Sequence, residues 1–212
     1  MTGMLTDAER HEALITIRRG LDEDLRYGPD VTTESTVPAD ATTIGSLVAR
    51  ETGVAAGVDV ALMVLDEVLG PDGYQVLERV QDGTRLEAGQ CLLKVQAPTR
   101  GLLTAERTLL NLVCHLSGIA TATAAWVDAV DGTKARIRDT RKTLPGLRAL
   151  QKYAVRVGGG VNHRMGLGDA ALIKDNHIAA AGSVVAALRA VRAAAPDLPC
   201  EVEVDTLEQL DE

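Results

Sequence analysis

The sequence predicts an α/β chain. An α+β part with antiparallel strands fills roughly the first hundred residues, and alternating β and α segments that build a parallel sheet follow it. Three observations carry this. Residues 74–80 and 91–95 alternate apolar and polar on either side of an Asp82-Gly83 turn, as paired strands do. Beyond residue 135, short apolar strands take turns with capped helical segments, at strand spacings of about 30 to 36 residues. Apolar residues make up 46% of the 212, which is enough for a sizeable core; with no Phe and one Trp that core must be aliphatic.

In chain order, Thr6-Asp7-Ala8-Glu9 is a capping box that opens a helix whose apolar stripe runs through Leu14, Ile17, Leu21 and Leu25. Tyr27-Gly28-Pro29-Asp30 breaks it. Residues 43–50 read as a strand and 58–69 as a helix stopped by Gly70-Pro71. Thr104 reads as the cap of a helix with Leu109, Leu112 and Leu116 on one side. Gly118 reads as an interruption, and 120–130 as renewed helix. Then come a strand at 135–139, a helix at 147–157 after Pro145-Gly146, a strand at 171–174, a helix capped by Ser183 that reaches Ala195, and a strand at 200–204. A second capping box, Thr206 to Gln209, follows. The expected domains are 1–108 and 109–212. A chain ending just inside a newly capped helix is expected to continue past Glu212 in the natural protein, because three βα units do not close a barrel of the common eight-unit form.

Composition excludes several classes. No run of about 18 apolar residues suggests a membrane span, and the first thirty residues lack the apolar region of a secretory signal. Cys91, Cys114 and Cys200 are odd in number and lack metal-ligand spacing, so a reducing cytoplasm is expected. Net charge is −8, yet residues 134–175 hold ten Lys/Arg against three Asp and carry +7. An acidic body repels nucleic acid, and Tyr153 alone interleaves the basic stretch, so base-stacking platforms are missing. A small polyanionic ligand suits such a patch better than a polymer. Arg148, Lys152 and Arg156 read equally well as a solvated helix face.

In βα folds, ligands bind outside the carboxyl ends of the strands. These ends carry Arg138-Asp139-Thr140-Arg141-Lys142-Thr143, Lys174-Asp175-Asn176-His177 and Glu203-Val204-Asp205, with Gly158-Gly159-Gly160-Val161-Asn162-His163-Arg164 between the first two. One rim is expected to gather Arg141, Lys142, His163, Arg164 and Lys174, with Glu203 as its acidic member and a ligand for Mg²⁺ shared with substrate oxygens. Arg forks and Lys charges suit carboxylates and phosphates. Bland readings stand beside these: the triple glycine as a helix cap and turn, His115 as a packed polar residue, His177 as a helix-start residue, and His11 as solvated. Lys174 also fits a Schiff-base lyase, and Lys94 only faintly a swinging-arm lysine.

Four strings, Thr104–Asn111, Asp139–Gly146, Gly158–Arg164 and Leu172–His177, together with Asp24–Thr33, resemble quinolinate phosphoribosyltransferases in order and spacing across almost all of the chain. The resemblance implies an N-terminal α/β sandwich followed by an open α/β barrel that is incomplete in this chain. It implies transfer from phosphoribosyl pyrophosphate (PRPP) to quinolinate with decarboxylation, giving nicotinate mononucleotide, pyrophosphate and carbon dioxide in NAD biosynthesis, with Mg²⁺ and a homodimer or dimer-based oligomer. By that resemblance Arg107 reaches a partner's site, and Arg141, His163, Arg164 and Lys174 surround quinolinate. Lys142 and Glu203 face PRPP and its metal, and Thr140 lies in the same loop. Lys142, Lys174 and Glu203 are the expected catalytic residues. A same-fold pyrophosphorylase-like protein for another anion is the alternative within the fold.

Overall fold

The computed structural model of the chain describes residues 4–212. Two compact units divide it, the first ending at Asn162 and the second spanning His163–Glu212.

In the first unit α1 (Asp7–Leu25) begins at the expected capping box: Thr6 Oγ1 accepts from Glu9 N–H, and the Glu9 side chain accepts from Thr6 N–H. A short α2 (Val31–Thr36), capped by Asp30, stands where the sequence showed only a break. Strands β1 (Thr42–Val48), β3 (Gln75–Arg79) and β5 (Cys91–Pro98) form an antiparallel sheet in the order β1-β5-β3. The central β5 buries Leu92, Leu93, Val95 and Ala97, whereas β3 is exposed along its whole length and carries Glu78 and Arg79 on its edge. The two-residue strands β2 (Gly53–Val54) and β4 (Arg85–Leu86) pair separately, too short to leave an alternation in the sequence.

Helix α3 (Val58–Leu69) matches its expected span. Asp82 fixes its start by accepting from Gly57 N–H (2.7 Å) and Val58 N–H (2.9 Å). Helix α4 (Thr99–Ala129) runs unbroken for 31 residues. It starts five residues before Thr104, whose hydroxyl donates back to the Arg100 carbonyl in place of a cap, and it passes through Gly118 without interruption. A helical glycine costs only about 1 kcal/mol relative to alanine, and packing along a helix this long outweighs that. The expected boundary at 108/109 thus lies within one helix. Length and composition would let α4 cross a membrane. In the sequence, Asn111, His115 and several hydroxyls interrupt its apolar run. In the structure Leu109, Leu112, Val113 and Leu116 are core residues, and Ser117 and Thr121 accept from the backbone N–H of Ala56 and Val54.

Helix α5 (Arg148–Val157) ends on the triple glycine. Gly158 caps it, Gly159 has φ +90°, and a Cβ on Gly158 would stand 2.4 Å from the Ala120 carbonyl oxygen. These glycines therefore close the helix and bring its end against α4, which is their structural reading. The expected strand at 135–139 is reduced to one parallel bridge, Arg138 to Val161, with two flanking hydrogen bonds. Its residues are mostly exposed and lack a further neighbour along which a ladder would extend. The core is aliphatic as expected; Tyr153 is the one aromatic ring fully buried among the described residues.

The second unit is a βα unit. β6 (Ala171–Ile173) and β7 (Cys200–Val202) pair in parallel, in register from Ala171 with Cys200 to Ile173 with Val202. Between them lie α6 (Asp175–Ala181), which the sequence did not announce, and α7 (Val184–Ala194), capped by Ser183. Helix α8 (Leu207–Asp211) opens at the expected Thr206–Gln209 capping box.

Candidate functional site

The first unit presents its site residues at the end of the Arg138 bridge. Thr140 and Lys142 are exposed, Arg141 is half-buried, and the Thr140 hydroxyl accepts from Lys142 N–H at 3.0 Å, which turns the chain tightly. Arg141 Nε is buried and has no hydrogen-bond partner. A buried guanidinium donor left unmet costs about 1–3 kcal/mol or more, so an acceptor from outside the chain would be favoured at this position. Thr140 and Lys142 line a cavity of about 330 Å³ together with His115, Asp139, Gln151 and Lys152.

Helix α5 corrects the solvated-face reading. Lys152 is 1% exposed and pairs with Asp139, whose other oxygen accepts from Asn162 Nδ2 at 2.6 Å. Arg156 forms a two-pronged pair with Glu9 (2.6 and 3.0 Å), hydrogen-bonds Asn162 and stacks over Tyr153. Arg148 Nε donates to Thr143 Oγ1 at 3.1 Å. The signal was present in the sequence: Lys152 flanks Tyr153 and Ala154 on an amphipathic helix, but only the fold shows that Asp139 waits for it. His115 is a packed polar residue, with Nε2 2.9 Å from Gln151 Nε2.

In the second unit His163 Nε2 lies 3.2 Å from a Glu201 carboxylate oxygen. Arg164 donates one guanidinium nitrogen to the Ala170 carbonyl at 2.9 Å, while its buried Nε lacks a partner, as in Arg141. Lys174 Nζ sits 3.0 Å from Glu203, so the expected lysine and the expected metal carboxylate neutralise each other at the mouths of β6 and β7. Both are substantially exposed, at 43% and 57%. His177 is the helix-start residue, accepting from Lys174 N–H on Nδ1 at 2.9 Å. Arg107 is exposed on α4. Among the described residues no three His, Cys, Asp or Glu side chains cluster to hold a metal. The donor set at Glu203 is one carboxylate, which fits Mg²⁺ held mainly by phosphate oxygens of a substrate and not a metal caged by protein.

An antiparallel-sheet unit followed by a βα unit, each with a buried and unpartnered arginine Nε, defines a mixed α/β protein with exposed cationic side chains in both units. Comparison with known proteins narrows the class. The family model described as the quinolinate phosphoribosyl transferase N-terminal domain matches residues 30–117, and that of the C-terminal domain matches 119–212. The chain is 77% identical over 208 residues to a nicotinate-nucleotide pyrophosphorylase (carboxylating) of Mycobacterium leprae, covering 98% of this chain and 73% of that one. Among solved structures it is similar to the nicotinate-nucleotide pyrophosphorylase of Francisella tularensis (35% identity, TM-score 0.90, 100% of this chain and 72% of that one). It is also similar to NadC of Streptococcus pyogenes (44%, TM-score 0.85, 92% and 68%). The chain belongs to the quinolinate phosphoribosyltransferase family. It spans from 48% to 73% of the length of the curated relatives it matches.

Proposed function

We propose that the protein transfers the phosphoribosyl group of PRPP to the ring nitrogen of quinolinate. The bond from the ribose anomeric carbon to pyrophosphate breaks, and a bond to nitrogen forms. The 2-carboxylate then leaves as carbon dioxide, its electron pair staying on a ring carbon beside the quaternised nitrogen until a proton replaces it, which yields nicotinate mononucleotide. The observation that carries this reading is the pair of buried, unpartnered guanidinium donors, Arg141 Nε and Arg164 Nε, in a chain of this family.

Two substrate carboxylates entering a dry site need cations to offset their lost hydration. Arg141, Arg164, His163 and Lys174 supply that charge in the proposal and disfavour nicotinate, which would leave cations unmet. Breaking the anomeric bond places positive charge on the ribose and negative charge on the leaving pyrophosphate. Lys142, with Thr140 beside it, takes up the pyrophosphate charge, and Lys174 is a second cation near the departing carboxylate. Glu203 would hold Mg²⁺, which when bound supplies charge neutralisation to the phosphates. We further propose a cytoplasmic homodimer or dimer-based oligomer in which the exposed Arg107 serves a partner's site. Arg107→Ala is then expected to raise the quinolinate KM about tenfold or more with the oligomer intact on sedimentation; an unchanged KM removes Arg107 from the site.

The direct test is product formation from quinolinate, PRPP and Mg²⁺, with nicotinate as the paired substrate. Nicotinate mononucleotide from quinolinate alone supports the reading. Product from nicotinate, or none from quinolinate, overturns it.

A further inference from the structure

Helix α5 turns one polar face toward the segment that carries Thr140, Arg141 and Lys142. Arg148, Gln151 and Lys152 are spaced i, i+3, i+4, so they project from one side of the helix. Each holds a different point of that segment. Lys152 Nζ pairs with Asp139, the residue just before Thr140. Arg148 Nε donates to Thr143 Oγ1, the residue just after Lys142. Gln151 Oε1 accepts from Leu144 N–H at 3.0 Å. The three substrate-facing residues are thus fixed at both ends from a single helix face.

The face is itself braced. Because Gln151 Oε1 is committed to Leu144, its amide nitrogen faces His115 Nε2 at 2.9 Å, which makes that ring nitrogen the acceptor and ties the clamp to α4. Asn162 Nδ2 donates both to Asp139 (2.6 Å) and to the Lys152 carbonyl (2.8 Å), and Asn162 Oδ1 accepts from Arg156, so Asp139 is held from two elements at once. None of Gln151, Lys152 or His115 is needed as a substrate-binding group in the proposed reaction, yet Lys152 is a fully buried cation, costly to keep without a task.

We infer that α5 is a positioning helix: Gln151 and Lys152, braced by His115 and Asn162, set the backbone on which Arg141 and Lys142 meet the anionic substrates. They are positioning residues. Misplacing reacting groups by about 1 Å costs on the order of 100-fold in rate, so a looser clamp shows first in turnover. The inference rests on the proposed reaction for its rate readout but not for its structural one.

The experiment compares Gln151→Leu, which keeps bulk and removes both the acceptor and the donor, with Gln151→Glu, which keeps an acceptor oxygen for Leu144 N–H and loses only the donor to His115. A double variant, Asp139→Asn with Lys152→Met, removes the buried charges together. For each full-length variant, kcat and KM for quinolinate and PRPP, amide hydrogen exchange over residues 138–147 and the melting temperature are measured. Gln151→Leu and the double variant are expected to lower kcat/KM at least tenfold and to speed exchange within 138–147 while melting stays within a few degrees; Gln151→Glu is expected to lie between Gln151→Leu and wild type in both. Unchanged rate and exchange overturn the inference. Losses that merely track global melting, with no local exchange, overturn it too, because they describe ordinary packing. If the wild-type protein gives no product, the functional reading falls and exchange alone decides the clamp.

Discussion

Two lysines of this chain pair with carboxylates in opposite ways. Lys152 in the first unit is buried against Asp139, 1% and 7% exposed. Lys174 in the second meets Glu203 at 3.0 Å with both side chains open to water. The first pair has exchanged hydration for a fixed geometry, and its neighbours Asn162 and Gln151 are fixed with it. The second keeps its hydration, and Lys174 Nζ meets only the two oxygens of one exposed carboxylate, at 3.2 and 3.0 Å. A buried pair contributes mainly when whole and costs heavily when halved, whereas an exposed pair contributes about 0–1 kcal/mol either way. Rigidity is therefore invested beside Thr140–Lys142, while the Lys174 pair stays open to exchange its partner.

The sharpest way to break this contrast is to change both lysines to methionine. Lys174→Met is expected to cut turnover of quinolinate by about 100-fold or more, the scale of losing one well-placed charge on a reacting group, while its melting temperature barely moves. Near-normal turnover would remove Lys174 from the chemistry. Lys152→Met takes the ammonium from a buried carboxylate and is expected to cost about 3–5 kcal/mol in denaturant unfolding. If both variants lost the same stability, the two pairs would not differ as described.

Tyr153→Phe probes the same helix from its apolar side. The Tyr153 hydroxyl donates to Asp82 at 2.5 Å, and Asp82 in turn caps α3. Burial pushes the Asp82 carboxyl above its ordinary range, and the Tyr153 hydrogen bond works against that push. Removing a donor to a buried carboxylate is expected to cost about 1.5–3 kcal/mol, less than halving the Lys152 pair. A cost near zero in urea unfolding would show that the α3 cap does not depend on α5.

How much of this was written in the sequence depends on range. Local signals were legible: the capping boxes at Thr6 and Thr206, the Ser183 cap and the α3 stop at Gly70. What depends on a distant partner was not. Lys152 reads as a surface lysine until Asp139 and Asn162 are placed beside it, and Glu9 reads only as a capping residue until Arg156 arrives from 147 positions away. Gly118 and Thr104 misled in the other direction, since propensity suggested ends where packing kept α4 continuous. The strand expected at 135–139 had the right composition and lacked neighbours to pair with.

Glu9 gives the smallest and most specific prediction. Burial raises its carboxyl, but hydrogen bonds from Arg156 and from Thr6, backbone and hydroxyl, outweigh it and hold the group below its ordinary value of 4.5. A carboxylate depressed in the folded state adds stability that is fully present above its unfolded value and is lost as pH falls through its folded value. Wild-type protein should therefore lose melting temperature progressively from about pH 5 downward, partly through Glu9. Glu9→Gln keeps one acceptor oxygen but no charge, so it should melt lower than wild type at neutral pH and converge on it in acid. The comparison needs only thermal melts at several pH values. A gap that stayed constant down to about pH 3 would mean that Glu9 acts by shape alone, and that the link from α1 to Arg156 is not the charged tie drawn here.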